Sequence, residues 1–557
     1  MRPRRDPVPR AREAWWWLGG LLTLGLVAAG VVAAGVALWE NIDMRQLAPA
    51  LQAPPPPPPT PELPPPPARM AASFDVALFD SERNRAYFPD ADFHPAQMRR
   101  WRSLAEQAGG VVRTVSDAAG LRGLAPDEVL LIPESPCLSA GERGAVEDHL
   151  ERGGSLVTNW ALGVRDGSCS WRGWDMLLTV TGAEAVRELT GRPALYLTVP
   201  AGLATSPGLD PGTRVEVRPD PAVALRMPGA RIYWSDWALN PWPDDDGAGA
   251  DVAVSTTRSG AGGRVSWFGV RTGQAVSDRE QALLERVFHN GIRWAAGAPH
   301  AAPTPWPEAA RTALLFAIEV EGEAAYRNAA DIASAFQADD LPISFFAVSR
   351  LVEGDEALAE ALSAAGEVGT QTVDHTPLAG LTAQDQRIRL RRSWSDIEEW
   401  TGLGPAGLRP PEESVDAVTL EAWRRAGGRY ILASNEARSA SPEIHDVDGG
   451  PMVLLPRLMK DDYTIIVRDI TLRSRTLAEA YLAGTKKIRA IGGLAVVAGH
   501  TQIIEPGARL QALRSVADSV RGHDVWWIAE ARDVALGWVD RARVTLAWAP
   551  RGAPEAE

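Results

Sequence analysis

The feature that most constrains this chain is an uncharged apolar run near its N-terminus. The 25 residues from Trp15 to Trp39 include no charged side chain and one polar one, Thr23. About 20 apolar residues span the hydrocarbon core of a bilayer as a helix, so this run is long enough to cross it with some tilt. Tryptophans lie at both ends, where indole rings favour the membrane interface. We therefore predict a single transmembrane helix over residues 15–39.

The charges before this run predict its orientation. Residues 1–14 contain five arginines and two acidic residues, and positive charge is retained on the cytoplasmic side. We expect a cytoplasmic tail over 1–14, an inner-membrane anchor and a periplasmic remainder. The alternative is a cleavable signal peptide, whose apolar region is usually shorter. Both interpretations export the rest of the chain.

Residues 40–71 are predicted to be a linker. Eleven of the 14 positions from 54 to 67 are proline, which excludes helix and sheet and favours an extended polyproline II rod. The linker is therefore a spacer, and the folded part begins at residue 72.

The first globular region is predicted over 72–300. Near-continuous apolar runs at 74–79, 128–133 and 155–159 are typical of buried parallel strands, and a capped helix lies between the last two. This layout, with Leu-Glu-Arg-Gly-Gly before a strand, resembles the noncatalytic form of the class I glutamine amidotransferase-like fold, an open parallel sheet of flavodoxin type. Neither Cys nor His directly follows the strand at 155–159, so we expect no amidotransferase chemistry.

The chain has only two cysteines, Cys137 and Cys169, and both follow strands of this region. Their loops are expected at the same edge of the sheet, so an oxidising compartment would allow a disulfide between them. Two separate reduced thiols are the alternative. So few cysteines exclude a disulfide-rich scaffold and a cysteine-based zinc finger.

The second globular region, predicted over 308–549, carries a series of motifs. A strand at 313–318 runs into Glu-Val-Glu-Gly, and later come Glu-Val-Gly-Thr-Gln-Thr-Val-Asp-His (367–375), Leu-Arg-Pro-Pro (408–411) and an apolar strand ending in a histidine (494–500). The order of these motifs resembles that of the polysaccharide deacetylase family, whose fold is a distorted (β/α) barrel. The resemblance implies a metal-dependent hydrolase that removes acetyl groups from amino sugars.

The resemblance assigns roles to residues of these motifs. It implies Glu319 as the base, Arg409 as the residue that orients it, and His500 as the acid. The implied metal ligands are Glu321, Gln371 and His375, with Asp374 as an extra carboxylate beside the ion. The metal would activate a water molecule and polarise the acetamide carbonyl. Asp374 also has a simpler interpretation, as a loop-capping residue.

Three of these positions depart from the family pattern. Glu319 and Glu321 stand where the family usually has Asp, or the register slips by one so that Val320 replaces the base. Gln371 occupies the position of the first metal-binding histidine, and an amide oxygen is a weak zinc ligand beside imidazole. The glutamine is therefore expected to weaken binding of the implied divalent metal, zinc or similar.

These observations leave three functional hypotheses. The first is a membrane-anchored, periplasmic deacetylase acting on a polysaccharide that contains N-acetyl amino sugars. The second is an inactive deacetylase-like module for glycan binding or polysaccharide assembly, and the third is another glycan hydrolase, such as a glycosidase that uses the glutamate pair. With a net charge of -14, the chain does not suit nucleic acid as a partner. Its protein partners are not predicted.

Overall fold

The computed structural model of this chain describes residues 73–543, except for 191–193, 219–220, 230, 242–249, 299–303, 308–309, 435–438, 449, 469–475 and 524. The predicted tail (1–14), transmembrane helix (15–39) and linker (40–71) lie outside the described residues. Within the described part, no helix is both long and apolar enough to cross a membrane.

The N-terminal part of the described chain forms an eleven-stranded sheet. Its strands are β1 (Phe74–Phe79), β2 (Gly110–Val115), β3 (Val129–Ile132), β4 (Ser155–Asn159), β5 (Ala185–Leu189), β6 (Leu195–Val199), β7 (Thr213–Val217), β8 (Ala222–Arg226), β9 (Ile232–Ser235), β10 (Val252–Arg258) and β11 (Arg264–Phe268). Its helices are α1 (Glu82–Tyr87), α2 (Phe93–Gln107), α3 (Ala118–Arg122), α4 (Ala140–Glu151), α5 (Asp175–Thr181) and α6 (Asp278–Ala295).

One half of this sheet is parallel, as predicted. Its strands lie in the order β2-β1-β3-β4-β11, which is the strand order of flavodoxin-type sheets. Helix α4 connects β3 to β4 and begins with a capping box, in which Ser139 and Glu142 bind each other's backbone N–H groups. The predicted βαβ unit is therefore confirmed, whereas the amidotransferase likeness stays a prediction.

The other half corrects the expectation of an open parallel sheet. Strands β10, β9, β6 and β7 continue the sheet in antiparallel pairs, and β5 and β8 form a further antiparallel pair. The physical reason is the short connections: no helix intervenes between residues 185 and 258 in the described chain, and parallel pairing needs a long crossover. The sheet is mixed.

The structure joins Cys137 and Cys169 in a disulfide, with 5.0 Å between their Cα atoms. Cys137 follows β3 and is fully buried, and it forms a β-bridge with Arg165 in the loop after β4. The bond therefore ties together the loops at one edge of the parallel half.

The C-terminal part forms a nine-stranded sheet. Its strands are β12 (Thr312–Val320), β13 (Ser344–Ala347), β14 (Glu367–Thr370), β15 (Gly407–Leu408), β16 (Tyr430–Ala433), β17 (Glu443–Val447), β18 (Gly450–Pro456), β19 (Leu494–His500) and β20 (Trp526–Ile528). Its α-helices are α7 (Asn328–Ala338), α8 (Ser349–Val352), α9 (Glu356–Ala365), α10 (Ala383–Thr401), α11 (Ala417–Ala426), α12 (Leu477–Ile491), α13 (Ala508–Val520) and α14 (Ala531–Arg543). A 3-10 turn spans Pro411–Glu413 and a π-helix spans Thr464–Arg468.

This second sheet curls around an apolar interior. Its strands lie in the order β17-β18-β16-β15-β14-β13-β12-β19, and every pair except β17–β18 is parallel. Side chains of β12, β13, β16, β18 and β19 meet in one buried cluster inside the curl. No pairing between described residues joins β18 to β19, so the barrel is open on that side.

Candidate active site

The alternation of side chains along β12 aims Glu319 into the interior of the curled sheet. Leu314, Phe316 and Ile318 pack outward beneath the helices, whereas Ala313, Leu315 and Ala317 pack inward. Successive strand residues point to opposite faces, so Glu319 belongs to the inward set. The strand is buried along its whole length, and Glu319 lies near its C-terminal end. Parallel barrels carry their functional groups at the C-terminal ends of the strands.

The parallel register brings His500 and Arg409 to the same place. Glu319 pairs with His500 of β19 in the strand register. Gln371 and Arg409 directly follow Thr370 and Leu408, which are partners in the β14–β15 pair. Motifs that are far apart in sequence therefore meet because neighbouring parallel strands end at one edge.

Both carboxylate oxygens of Glu319 accept hydrogen bonds. Oε1 accepts from Nε and Nη2 of Arg409, at 3.2 and 3.1 Å. Oε2 accepts from the side-chain amide of Gln371 at 2.5 Å. The Nε2 atom of His500 lies 3.4 Å from Oε1. With 4% of its surface exposed, Glu319 is enclosed by donors.

Arg409 is the centre of a buried ion network. Its Nη1 donates to Glu413 at 2.7 Å and to the carbonyl oxygen of Leu432. Arg457 donates to the same Glu413 oxygen at 2.6 Å and lies 3.5 Å from Asp461. Burial alone would lower the pKa of Arg409, but the carboxylates of Glu319 and Glu413 raise it above its ordinary value. Alternating charges thus hold Arg409 in one orientation.

His500 is held by Asp462. The imidazole Nδ1 lies 2.6 Å from one oxygen of Asp462, and the backbone N–H of His500 donates to the other oxygen at 2.8 Å. Burial alone would lower the pKa of His500, but the charge of Glu319 and the hydrogen bond and charge of Asp462 raise it to about 10. His500 is therefore an imidazolium at neutral pH, with its Nε2 directed at Glu319.

Glu321 and His375 form a separate pair. The Nε2 atom of His375 lies 2.6 Å from Oε2 of Glu321, and Gln502 donates to Oε1 at 2.5 Å. The hydrogen bond to Glu321 raises the pKa of His375. Burial opposes ionisation of Glu321, but the hydrogen bond and charge of His375 lower its pKa overall. The two implied metal ligands thus satisfy each other.

Asp374 does not join this pair. Its carboxylate accepts from Nη1 of Arg389 on α10 at 2.7 and 2.8 Å, and it also accepts from the backbone N–H of Thr376 at 3.3 Å. The structure therefore places Asp374 in the loop-capping role and gives no support to its proposed place beside an ion.

The residues present do not fit the divalent metal that the resemblance implies. Two zinc ligands with bonds of about 2.1 Å in tetrahedral geometry lie about 3.4 Å apart, whereas Glu321 and His375 are 2.6 Å apart. The amide nitrogen of Gln371 is directed at Glu319, and the buried Oε1 of Gln371 has no hydrogen-bond partner among the described residues. Among the described residues, no three His, Cys, Asp or Glu side chains are grouped so as to hold a metal.

Unusual backbone conformations are concentrated here. Thr372, His375, Glu412 and Glu413 have φ between 53° and 67°, which is uncommon for residues other than glycine. Such conformations persist only where the surrounding structure enforces them, and they are found preferentially at functional sites. The loops after β14 and β15 are therefore shaped by the site.

A family model for polysaccharide deacetylase matches residues 323–431. The chain carries a polysaccharide deacetylase family domain. The match includes Gln371, His375 and Arg409 of the deacetylase domain, and Glu319 and His500 lie outside it.

Several solved structures are similar to this chain. They include a putative polysaccharide deacetylase from Mycobacterium smegmatis (21% identity, TM-score 0.39, 46% of this chain and 99% of that chain). A probable polysaccharide deacetylase from Pseudomonas aeruginosa PAO1 is similar at 15% identity and TM-score 0.38, over 44% and 96% of the two chains. A CE4 family pseudoenzyme from Bacillus anthracis is similar at 13% identity and TM-score 0.29, over 42% and 68%. No curated protein matches the sequence.

Sequence reasoning missed the partners of the deacetylase motif residues. Glu412, Glu413, Asp461 and Asp462 stand out in the sequence only as acidic pairs near strand ends, equally typical of a solvated rim. In the structure Glu412 is exposed, whereas the other three are buried within the network. The available signal was their position: Glu412 and Glu413 directly follow Arg-Pro-Pro, and Asp461 and Asp462 come four and five residues after Arg457. An arginine buried at a strand end requires a carboxylate.

Proposed function

We propose that this chain is an exported glycan-recognition protein, in which the deacetylase domain receives an N-acetylated sugar but does not carry out metal-assisted hydrolysis. The observation that carries the proposal is the hydrogen bond from Gln371 to Glu319. A general base must accept a proton from water, and both oxygens of this carboxylate already accept from protein donors. Gln371 also replaces the histidine that the family pattern has at this position.

The acetamide group of an amino sugar suits the polar end of this curled sheet. His500, as an imidazolium, supplies an N–H donor for a carbonyl oxygen. Gln371 Oε1 is a buried acceptor for an amide or hydroxyl hydrogen, and it has no hydrogen-bond partner among the described residues. We infer that this set of donors and acceptors recognises the sugar.

Metal-independent hydrolysis of the same substrate is a second candidate. It is favoured by one observation, the imidazolium of His500 beside the Glu319 carboxylate, which is the arrangement of an acid next to a base. The glycosidase hypothesis has less support. It requires two carboxyl groups across an open groove, and Glu319 is buried with both oxygens engaged.

The location belongs to the same proposal. The uncharged run at 15–39 and the arginines before it support a single inner-membrane anchor with the folded part in the periplasm. A disulfide between Cys137 and Cys169 is compatible with that oxidising compartment.

Zinc content and acetate release from N-acetylated oligosaccharides test the proposal. We expect the purified full chain to bind N-acetylated oligosaccharides, to contain no stoichiometric zinc and to release no acetate. In Gln371→His the base is freed and an imidazole ligand is restored, so zinc uptake should appear. Gln371→Leu is the matched control, since it frees the base without adding a ligand.

Stoichiometric zinc in the unmodified chain that is lost in His375→Ala would contradict the proposal. Acetate release without bound metal that stops in His500→Gln would establish the second candidate instead.

A further inference from the structure

The loop after β4 carries an exposed tryptophan. Trp171 keeps 53% of its surface exposed, whereas tryptophan is highly buried on average. Trp174 lies beside it as an edge-to-face neighbour, with 5.6 Å between the ring centroids and 82° between the ring planes. The two indole rings therefore form a corner that faces solvent on the Trp171 side.

Arg165 extends this aromatic surface to a third ring. Its guanidinium carbon lies 5.7 Å from the centre of the Trp171 ring and 5.3 Å from the centre of the Tyr87 ring. Nη1 of Arg165 donates to the carbonyl oxygen of Cys169 at 3.0 Å. A planar, charged donor group is thus held between two aromatic rings. We call Tyr87, Arg165, Trp171 and Trp174 the aromatic platform.

The backbone that carries the aromatic platform is tightly constrained. Arg165 forms one β-bridge with Trp171 and another with Cys137. The disulfide between Cys137 and Cys169 ties the same loop to the loop after β3. The carboxylate of Asp166 accepts from two backbone N–H groups of the loop, at 2.9 and 3.0 Å. A surface that is ordered before binding loses little conformational entropy when a ligand binds.

The aromatic platform lies at the edge of the sheet where open α/β folds bind ligands. Trp171 and Trp174 follow β4, and Tyr87 ends α1, which follows β1. Ligands of such folds bind outside the carboxyl ends of the parallel strands. Glu134 after β3 and Trp160 after β4 have φ of 46° and 47°, and such conformations are found preferentially at functional sites. The position and the backbone both indicate a binding edge.

The size of the aromatic platform indicates the kind of ligand. With Trp171 about half exposed and Tyr87 and Trp174 partly buried, its rings offer at most about 300 Å² of surface, since a whole aromatic side chain has about 150–250 Å². Residues 166–170 beside Trp171 are Asp-Gly-Ser-Cys-Ser and add little apolar area. A stable protein interface buries about 800 Å² on each partner. The platform is too small for such an interface and large enough for the face of a sugar ring.

A sugar ring also matches the aromatic platform in chemistry. One face of a pyranose carries C–H groups that pack against an aromatic ring, and its rim carries hydroxyl groups. Trp171 supplies an exposed ring of this kind, with an apolar body and a polar tip. Arg165 supplies planar N–H donors for hydroxyl oxygens beside that ring.

We propose that the aromatic platform binds a β-linked polysaccharide by stacking of a sugar ring on Trp171. The proposal adds a second glycan site to the proposed function and rests on that function for the class of polymer. In the proposed function the deacetylase domain recognises an acetamide group, whereas the aromatic platform contacts the face of the ring. The platform therefore binds sugars with and without that group.

Calorimetry with cellotetraose, a β-linked glucose oligomer without acetamide groups, tests the aromatic platform separately from the deacetylase domain. The full chain should bind it, and Trp171→Ala should weaken binding by about tenfold, since an aromatic contact contributes up to about 1.5 kcal/mol. Trp171→Tyr keeps an aromatic face and should weaken binding less than about threefold.

Trp237→Ala is the matched control. Trp237 is 55% exposed and lies 3.8 Å from the guanidinium carbon of Arg214, so it has the same exposure and the same type of neighbour as Trp171. Its replacement should change cellotetraose binding less than about twofold, as expected of a surface substitution away from the site. Melting temperatures verify that all three variants are folded.

No binding of cellotetraose, unchanged binding in Trp171→Ala, or an equal loss in Trp237→Ala would overturn the inference. Tighter binding of a polyproline peptide that is lost in Trp171→Ala would also overturn it, because aromatic grooves bind such extended peptides. N-acetylchitotetraose binding that persists in Trp171→Ala and is lost in His500→Gln would leave the proposed function intact in each case. Cellotetraose binding at Trp171 without that second binding event would overturn the proposed function alone.

Discussion

The contact between Asp462 and His500 gives the sharpest test of the candidate site. Asp462 is fully buried, and its two oxygens contact Nδ1 and the backbone N–H of the same histidine. Replacing Asp462 by Asn keeps the shape of the side chain and removes its charge. The imidazolium then loses its nearest carboxylate, and Glu319 remains as the other charge that stabilises it.

The size of the expected change follows from the pKa of His500. The pKa of His500 rises from 6.5 to about 10, which corresponds to about 5 kcal/mol of preference for the charged form. An opposite charge within hydrogen-bonding distance accounts for about 1–3 pH units, so Asp462→Asn should lower the pKa of His500 by that amount. Since Glu319 is unchanged, the value should stay above that of a free histidine.

The sign of the effect on stability follows from linkage. Because the pKa is higher in the folded than in the unfolded chain, the stabilisation is fully present below about pH 6.5 and is lost as the pH rises towards 10. The free-energy difference between the unmodified chain and Asp462→Asn should therefore be largest at mildly acidic pH. Burial raises the pKa of Asp462, so at still lower pH the pair weakens as that carboxylate is protonated.

An NMR titration of the histidine Cε1 signals measures these values, and His500→Gln assigns the signal. Asp339→Asn is the matched control, because it removes one carboxylate from a surface ion pair. The partner of Asp339 in that pair is Arg514, which is distant from it in sequence. A His500 signal that titrates near pH 6.5 in the unmodified chain would refute the proposed charge state. A titration unchanged by Asp462→Asn would refute the role of that contact.

Three further predictions concern stability and are checked by melting curves. Cys137→Ser/Cys169→Ser opens a loop with a sequence separation of 32 and should cost about 3–4 kcal/mol, whereas reduction of that double variant should change nothing more. Burial raises the pKa of Glu367 to about 7, so the stability of the unmodified chain should fall as the pH rises from about 4.5 to 7. Glu367→Gln should lack that fall, and an identical pH profile would contradict the assignment. Arg409→Gln removes the buried cation beside Glu319 and should cost about 3–5 kcal/mol, the loss expected when a buried ion pair is broken.

The resemblance to the deacetylase motifs was sufficient to predict that Glu319, Arg409 and His500 lie together, as the structure has them. Glu319, Arg409 and His500 each end or follow an apolar strand, and parallel strands place such residues at one edge irrespective of their separation in sequence. The same reasoning located β1, β3 and β4, because long apolar runs leave few alternatives. It failed for β5 to β10, whose short strands are joined without helices and give no periodic signal long enough to identify.

Side-chain partners were beyond the reach of sequence reasoning for a different reason. The motif places Asp374 next to His375, but the direction of its carboxylate depends on Arg389, which lies on a helix that follows the motif. Likewise Glu321 can face an ion or a neighbouring imidazole, and only the distance of 2.6 Å to His375 selects the latter. The partner of a side chain with several rotatable bonds depends on which groups lie near it in the folded chain.

Gln371 shows why one substitution can change more than one property of a site. The loss of an imidazole is visible in the sequence and predicts weaker metal binding. The gain of an amide N–H is not visible there, because it matters only in the folded chain, where Gln371 directly follows β14 and its amide donor lies 2.5 Å from Glu319. Under the proposed function, glutamine thus removes a metal ligand and at the same time occupies the carboxylate that would act as the base. The Gln371→His variant therefore reverses both effects, and the Gln371→Leu control separates them.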